Sequence, residues 1–246
     1  DVDIHETDVA PMQVQGPNSK EVIASIFGEA VSGIRYYRCV EAEVEGIPVV
    51  VSRTGWTGEV GFEIYLRDPA RGDELWRLVE EAGRPFGIRA IAPSEARRIE
   101  AGIFNYGSDI RPEDTPFHVT GLERLVELDQ EADFIGKDAL RRFAAEGVDR
   151  KLVGIGIDGP PMTDEGALNE FWPVHGAGDR NGSVPIGHVT AGAWSPRLER
   201  NVGYAWVPMS HSDIGTQLEL VTGGDGRAAT VAALPFVDPK KEIPAA

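Results

Sequence analysis

The sequence is short of features that mark several protein classes. Its single cysteine, Cys39, in 246 residues excludes an intrachain disulfide and suits a reducing compartment, so the chain reads as cytoplasmic. Basic residues are in deficit: 24 Lys and Arg against 40 Asp and Glu leave a formal charge of −16. Such a field repels nucleic-acid phosphates and anionic membrane surfaces, so neither is expected as a partner. No apolar run approaches a membrane span, and the opening DVDIHETDVAPMQVQG has neither the basic start nor the apolar stretch of a leader. The histidines (His5, His118, His175, His188, His211) lack the short paired spacings of metal ligands, so no metal is expected. The serines of YGSDI and NGSVP lack the flanking glycines of a nucleophile elbow. Asn181-Gly182-Ser183 matches a glycosylation sequon, which carries little meaning without a secretory signal.

What is present is a 41% hydrophobic composition, enough for a real core in one large or two to three small domains. Asn18 and Glu21 introduce a helical pattern with Val22, Ile23, Ile26 and Phe27 on one face, predicting a capped helix that stops at Gly28. CVEAEVEGIPVVVS reads as two strands turning at Glu45-Gly46, followed by a strand over Phe62 to Leu66. ARGDELWRLVEEAG places Leu75, Trp76, Leu78 and Val79 at helical spacing, with Trp76 expected in the core, and SEARRIEAG and GKDALRRFAAEG predict two more helices. Beyond Arg150 come β-rich runs, KLVGIGID, PIGHVTA, NVGYAWVP and TQLELV, then RAATVAAL after the turn GGDG. The fold class is therefore α+β: a mixed region over 1–150 and a β-barrel domain over 151–246, with a loosely ordered PKKEIPAA tail. DVDI alternates like a strand already in progress, so upstream sequence is expected.

The stretch SRTGWTGEVGFEIYL, residues 52–66, carries the chemistry. Gly55, Gly58 and Gly61 suggest a phosphate loop, but a strand follows instead of a helix, and no Gly-Lys-Ser/Thr closes it. Strand alternation sends Phe62, Ile64 and Leu66 to the core and Gly61, Glu63 and Tyr65 to the other face, where the glycine leaves room for an approaching group. With Trp56 just upstream, an acid and two aromatic rings could hold a flat heterocycle by stacking and hydrogen bonds, or an onium cation by cation–π attraction. By pattern alone the stretch reads first as a solvent-facing strand with half-buried aromatic packing, since most such strand faces merely meet water. YGSDIRPEDTPF, containing Tyr106 and Asp109, reads as a structured loop, and Arg197 in SPRLERNVGYAW as a surface salt-bridging arginine.

Five motifs in one order, DVAPMQVQGPNS, SRTGWTGEVGFEIYL, RRIEAGIFNYGSDI, DFIGKDAL and VTAGAWSPRLERNVGYAWVP, resemble the folate-binding aminomethyltransferase family typified by the glycine cleavage T-protein. Trp56, the run IRAIAPSEARRIEAG and the loop NYGSDIRPEDTPF most resemble its tetrahydrofolate-dependent demethylase branch. T-proteins tend to carry tyrosine at the first position and an Arg-Asp pair where Ser94 and Glu95 stand here. The resemblance implies a ring of three domains with the pterin in a central channel and a C-terminal barrel. It implies tetrahydrofolate as cofactor, with Glu63 as pterin anchor, Trp56 and Tyr65 as walls where folate and donor meet, and Tyr106 and Arg197 as further cofactor contacts. The aspartate assigned to catalysis in T-proteins falls upstream of residue 1, which implies a missing segment or a partner subunit. The implied activity is methyl transfer from a small sulfonium, ammonium or methoxy donor to N5 of tetrahydrofolate. The alternatives are aminomethyl transfer with a lipoyl-protein partner, or a non-catalytic folate-binding module or fragment.

Overall fold

The computed structural model describes every residue except 1, 5, 7, 163–165, 180–183 and 223–224. His5, the 181–183 sequon and the first two glycines of GGDG, 223 and 224, lie outside the described residues. The chain forms two compact units, one of residues 1–93 and 240–246, the other of residues 94–239.

The first unit is built on a four-stranded antiparallel sheet in the order β1-β4-β3-β2, with β1 Ala10–Gln15, β2 Cys39–Val44, β3 Ile47–Ser52 and β4 Gly61–Leu66. Residues 2–4 are not in a strand; pairing begins at Ala10, where β1 has β4 to bond with. The β2–β3 link is the two-residue turn foreseen at Glu45-Gly46, both residues at positive φ (49° and 75°), the twist that two-residue hairpins need. Helices α1 (Ser19–Phe27), α2 (Glu29–Ser32) and α3 (Gly72–Gly83) accompany the sheet. Val22 and Ile23 of α1 and Leu75 and Val79 of α3 close over Val14, Val49, Val51, Phe62, Ile64 and Leu66. Only one face of the sheet is buried this way, so period-2 alternation leaves Gln13, Gln15, Val50, Ser52, Glu63 and Tyr65 on the other.

Three local expectations change. Asn18 stands at the N-cap of α1 without capping it; its side-chain amide donates to the Phe86 carbonyl at 3.2 Å. Trp76 is 48% exposed, because the steps from Leu75 that stay on the buried face reach Leu78 and Val79, and Trp76 turns away from them. The expected loose tail forms a short helix, α6 (Glu242–Ala245), with Pro244 buried and the Ala246 carbonyl accepting from Arg53 at 2.6 Å.

The second unit contains a closed antiparallel barrel, β10-β5-β8-β7-β6-β9. Its strands are β5 Arg150–Ile157, β6 Gly166–Gly176, β7 Gly187–Ser195, β8 Arg200–Pro208, β9 Gln217–Thr222 and β10 Asp225–Ala232. Strand β6 was not foreseen, because Pro173 and a register shift between Ala167 and Trp172 break the alternation that announces a strand. Ile155, Val174, Val189, Ala205, Leu220 and Val231 fill the interior. A second apolar layer, including Leu152, Ala193, Val202 and Tyr204, packs with Ile99 of α4 (Glu95–Glu100). Helix α5 (Lys137–Glu146) precedes the barrel.

A buried polar network ties α4 and the loop after it to the barrel. Arg98 is fully buried; its Nη1 donates to Asp109 Oδ2 at 2.6 Å and its Nε to Glu95 Oε2 at 2.8 Å. Burial opposes the Arg98 charge, but the two carboxylates outweigh it and hold the guanidinium above its ordinary pKa. Asp109 also accepts from Asn105 N and Thr190 Oγ1, each at 2.7 Å, so its carboxylate is buried with its acceptors engaged. Tyr204, whose phenol is pushed far up by burial, donates to the Ile99 carbonyl at 3.1 Å.

Candidate functional site

The open face of the first unit's sheet is where the sequence places its acid and aromatic residues. Register sets Glu63 of β4 directly between Gln13 of β1 and Ser52 of β3. Cross-strand neighbours on one face stand about 5 Å apart, close enough for their side chains to meet. Gln13 Nε2 donates to Glu63 Oε1 at 3.3 Å, and the Thr54 hydroxyl donates to Glu63 Oε2. Ser52 Oγ lies 2.8 Å from Thr54 Oγ1. A hydroxyl has one proton, so with that of Thr54 directed at the carboxylate, Ser52 donates to Thr54 and a short relay runs into Glu63. Tyr65, two residues along the same face, has its phenol pushed up by burial, then by the Glu63 charge and a hydrogen bond to it. It is neutral at ordinary pH.

Glu63 is half-buried and accepts from two donors, Gln13 and Thr54, with the Tyr65 phenol on the same face of the sheet. A carboxylate offers about four acceptor positions, so capacity remains for a further N–H. A half-buried anion fixed by neighbours is suited to recognise a flat ring that presents N–H and amino groups along one edge, as a pterin does. The residues present therefore fit the cofactor that the sequence resemblance implies.

Trp56 lies half-buried in the irregular segment 53–60 that leads into β4. Here an expectation is overturned. The space beside Gly55 and Gly61 does not stand open for an approaching group: the Gln15 side-chain amide fills it, and a Cβ would come within 2.1 Å of that amide at Gly55 and 2.4 Å at Gly61. Gln15 Nε2 donates to the carbonyls of Thr54 at 3.2 Å and Phe62 at 3.3 Å, while its Oε1 accepts from the Thr57 hydroxyl at 2.8 Å. Arg53, almost fully buried, donates from Nη1 to the Gly61 carbonyl at 3.1 Å and lies 4.9 Å from the Phe62 ring centroid.

Glu63 and Tyr65 are thus brought together on one face, at the strand that the Trp56 segment enters. Tyr106 and Arg197 belong to the second unit. Tyr106 is 69% exposed, at the start of a loop whose inner anchor is Asp109, and Arg197 Nε stands 3.9 Å from Glu100 Oε2, in keeping with a salt-bridging arginine. Glu100 is buried and also accepts from Ser195 Oγ at 2.6 Å. Ser94 accepts from Arg97 N at 3.4 Å as the N-cap of α4, and Glu95 pairs with Arg98, so both residues at this departure from the T-protein pattern have structural work here. Sequence reasoning missed Gln13, Gln15, Ser52 and Thr54. The polar alternation of Gln13 and Gln15 around the buried Val14 was the available signal. Among the described residues, no group of three or more His, Cys, Asp or Glu side chains could hold a metal, and no helix is long and apolar enough to cross a membrane.

The GCVT N-terminal domain family matches residues 1–130, and the glycine cleavage T-protein C-terminal barrel domain matches residues 150–238. Dimethylsulfoniopropionate demethylase DmdA of Ruegeria pomeroyi is 36% identical over 233 residues, covering 94% of this chain and 60% of the relative. An aminomethyltransferase of Saccharopolyspora erythraea is 36% identical over 232 residues, covering 93% of this chain and 60% of its own. The crystal structure of glycine cleavage system aminomethyltransferase T from Bartonella henselae aligns with a TM-score of 0.71 and 26% identity, over 92% of this chain and 59% of that one. The chain therefore spans 60% of the length of these two curated relatives. With one domain match over its first 130 residues and the barrel match following in family order, the chain belongs to the glycine cleavage T-protein (GCVT) family, whose enzymes use tetrahydrofolate.

Proposed function

We propose that this chain carries the folate-binding face of a tetrahydrofolate-dependent methyltransferase, with a small sulfonium, ammonium or methoxy compound as methyl donor. The observation that carries the reading is the Glu63 carboxylate, held by Thr54 and Gln13 on the open face of the sheet that also bears Tyr65. In this reading Glu63 accepts hydrogen bonds from the pterin edge and sets its orientation. Trp56 and Tyr65 hold the donor, an onium cation by cation–π attraction. Tyr106 and Arg197 are further cofactor contacts of the same proposal, as are a folate-binding region over 1–150, a barrel domain over 151–246 and a cytoplasmic location.

Tetrahydrofolate supplies the nucleophilic N5 that takes up the methyl group. For an onium donor the protein's contribution is alignment of the attacking nitrogen, methyl carbon and leaving heteroatom, together with exclusion of water. Aromatic walls suit this step because they hold the cation without pinning the methyl group. Strong stabilisation of the donor's charge would be counterproductive, since that charge disappears as the methyl leaves.

Replacing Glu63 by Gln tests the anchor. The amide keeps the shape but loses the charge and turns an N–H toward existing donors. A charge-assisted hydrogen bond contributes about 2 kcal/mol, so tetrahydrofolate affinity falls roughly thirtyfold. Unchanged affinity measured by titration calorimetry would remove Glu63 from the site.

Aminomethyl transfer is the second reading, favoured by the equal 36% identity to an aminomethyltransferase. It requires a lipoyl-protein partner. Incubation with tetrahydrofolate and either methyl donors or an aminomethyl-loaded lipoyl protein separates the two: the first reading yields methyl-folate, the second methylene-folate. Binding with neither product leaves a folate-binding module.

A further inference from the structure

We infer that Gln15 is a positioning residue of the candidate site: its side-chain amide is the strut that fixes segment 53–60, and through it Trp56 and the Thr54 contact to Glu63. The ligand named in the test rests on the folate reading above; the strut itself rests on geometry alone.

Gln15 is the last residue of β1 and stands opposite Gly61 of β4. Both amide protons are used, on the carbonyls of Thr54 at 3.2 Å and Phe62 at 3.3 Å, and the amide oxygen accepts from Thr57 at 2.8 Å. One side chain thus bridges the beginning of the segment, its middle and the strand it enters. The segment's ends have other ties: Arg53 N donates to the Arg38 carbonyl at 2.8 Å, and the Val60 carbonyl accepts from Gly16 N at 2.8 Å and from Ser19 Oγ at 3.1 Å. Gln15 adds a tie at Thr57, next to Trp56.

The glycines belong to the same device. A Cβ at either Gly55 or Gly61 would overlap the amide, at 2.1 and 2.4 Å, so the strut exists only where both positions lack one. Chemistry also selects the amide over its isostere. Glutamate at 15 would present oxygen to the Thr54 and Phe62 carbonyls, where Gln15 now presents N–H. The Thr54 backbone held by Gln15 belongs to the residue whose hydroxyl donates to Glu63, so a displaced strut is felt at the carboxylate without touching it.

The test uses Gln15→Glu, Gln15→Ala, Gly61→Ala and the Gln15→Ala/Gly61→Ala double variant. Hydrogen exchange of residues 53–60 and tetrahydrofolate affinity are measured in each, with exchange of the β3–β4 core as the control for global unfolding. Gln15→Glu and Gly61→Ala are each expected to accelerate exchange in the segment by about tenfold or more and to weaken tetrahydrofolate binding about tenfold, with core exchange unchanged. Gly61→Ala is expected to cost much less in the Gln15→Ala background, where its methyl group enters vacated space. Should Gly61→Ala be equally damaging with and without Gln15, the amide is not the strut. Should Gln15→Glu loosen the segment with tetrahydrofolate affinity unchanged, the positioning role is wrong. If the parent protein itself binds no tetrahydrofolate, the proposed function fails, and the strut is then decided by exchange and the double-variant coupling alone.

Discussion

Arg98 and Asp109 show how much can rest on one pair of side chains. Both are fully buried, 2.6 Å apart, and Asp109 further gathers Asn105 and Thr190. Removing one partner of a buried pair strands the other, at a cost of about 3–5 kcal/mol. Asp109→Ala is expected to lose that much in urea unfolding, whereas Thr190→Val, which deletes one hydrogen bond to the same carboxylate, loses about 1 kcal/mol. His188 adds a pH dependence. Burial, then the charges of Arg111 and Arg150, lower its pKa, against an opposing contribution from Asp114. Since the folded pKa is depressed, the unfolded chain binds the proton first; the contribution of neutral His188 is complete above the ordinary histidine pKa of about 6.5 and is lost as pH falls below it. Melting temperatures recorded between about pH 8 and pH 5 should fall less steeply for His188→Gln than for the parent. Neither the Arg98 pair nor the Gln15 strut was legible in the sequence. The partners lie 11 residues apart in the first case and 39 in the Gln15–Thr54 bond, and no local period links them.

At the scale of elements the sequence was more informative, because helix and strand periods are local properties of the chain. The alternation of GFEIYL separated the buried Phe62, Ile64 and Leu66 from the face bearing Glu63 and Tyr65, and the positive φ of Glu45 and Gly46 was foreshadowed by their place between two β-rich runs. The failures came where a period is ambiguous or interrupted. Trp76 satisfied helical spacing with its neighbours yet lies off the stripe that the sheet covers, and β6 was hidden by Pro173 and a bulge. The corrected helix face makes a quantitative prediction. Leu75→Ala, at a fully packed position, should cost about 2–5 kcal/mol in denaturant unfolding. Trp76→Ala, although it removes the larger side chain, should cost less than Leu75→Ala because nearly half of the tryptophan is already exposed. Equal losses would return Trp76 to the core.

For the molecule as a whole, the formal charge of −16 sets a background of self-repulsion in every compact state. Salt screens it, so the melting temperature should rise as ionic strength goes from about 0.01 to 0.15 M, where the Debye length drops from roughly 30 to 8 Å. A fall would show that attractive ion pairs outweigh the net repulsion. By itself the sequence determined the α+β class, the strand faces and the family, since composition, periodicity and ordered motifs are written along the chain. Only the tertiary structure decided which groups hold Glu63 and what occupies the space that the glycines leave. The donors to Glu63 converge from β1 and the Thr54 segment, and the occupant of the glycine space is a glutamine 40 residues from Gly55. Those contacts exist because antiparallel pairing sets Gln13 and Gln15 against Glu63 and Gly61, a register that depends on burying one whole face of the sheet.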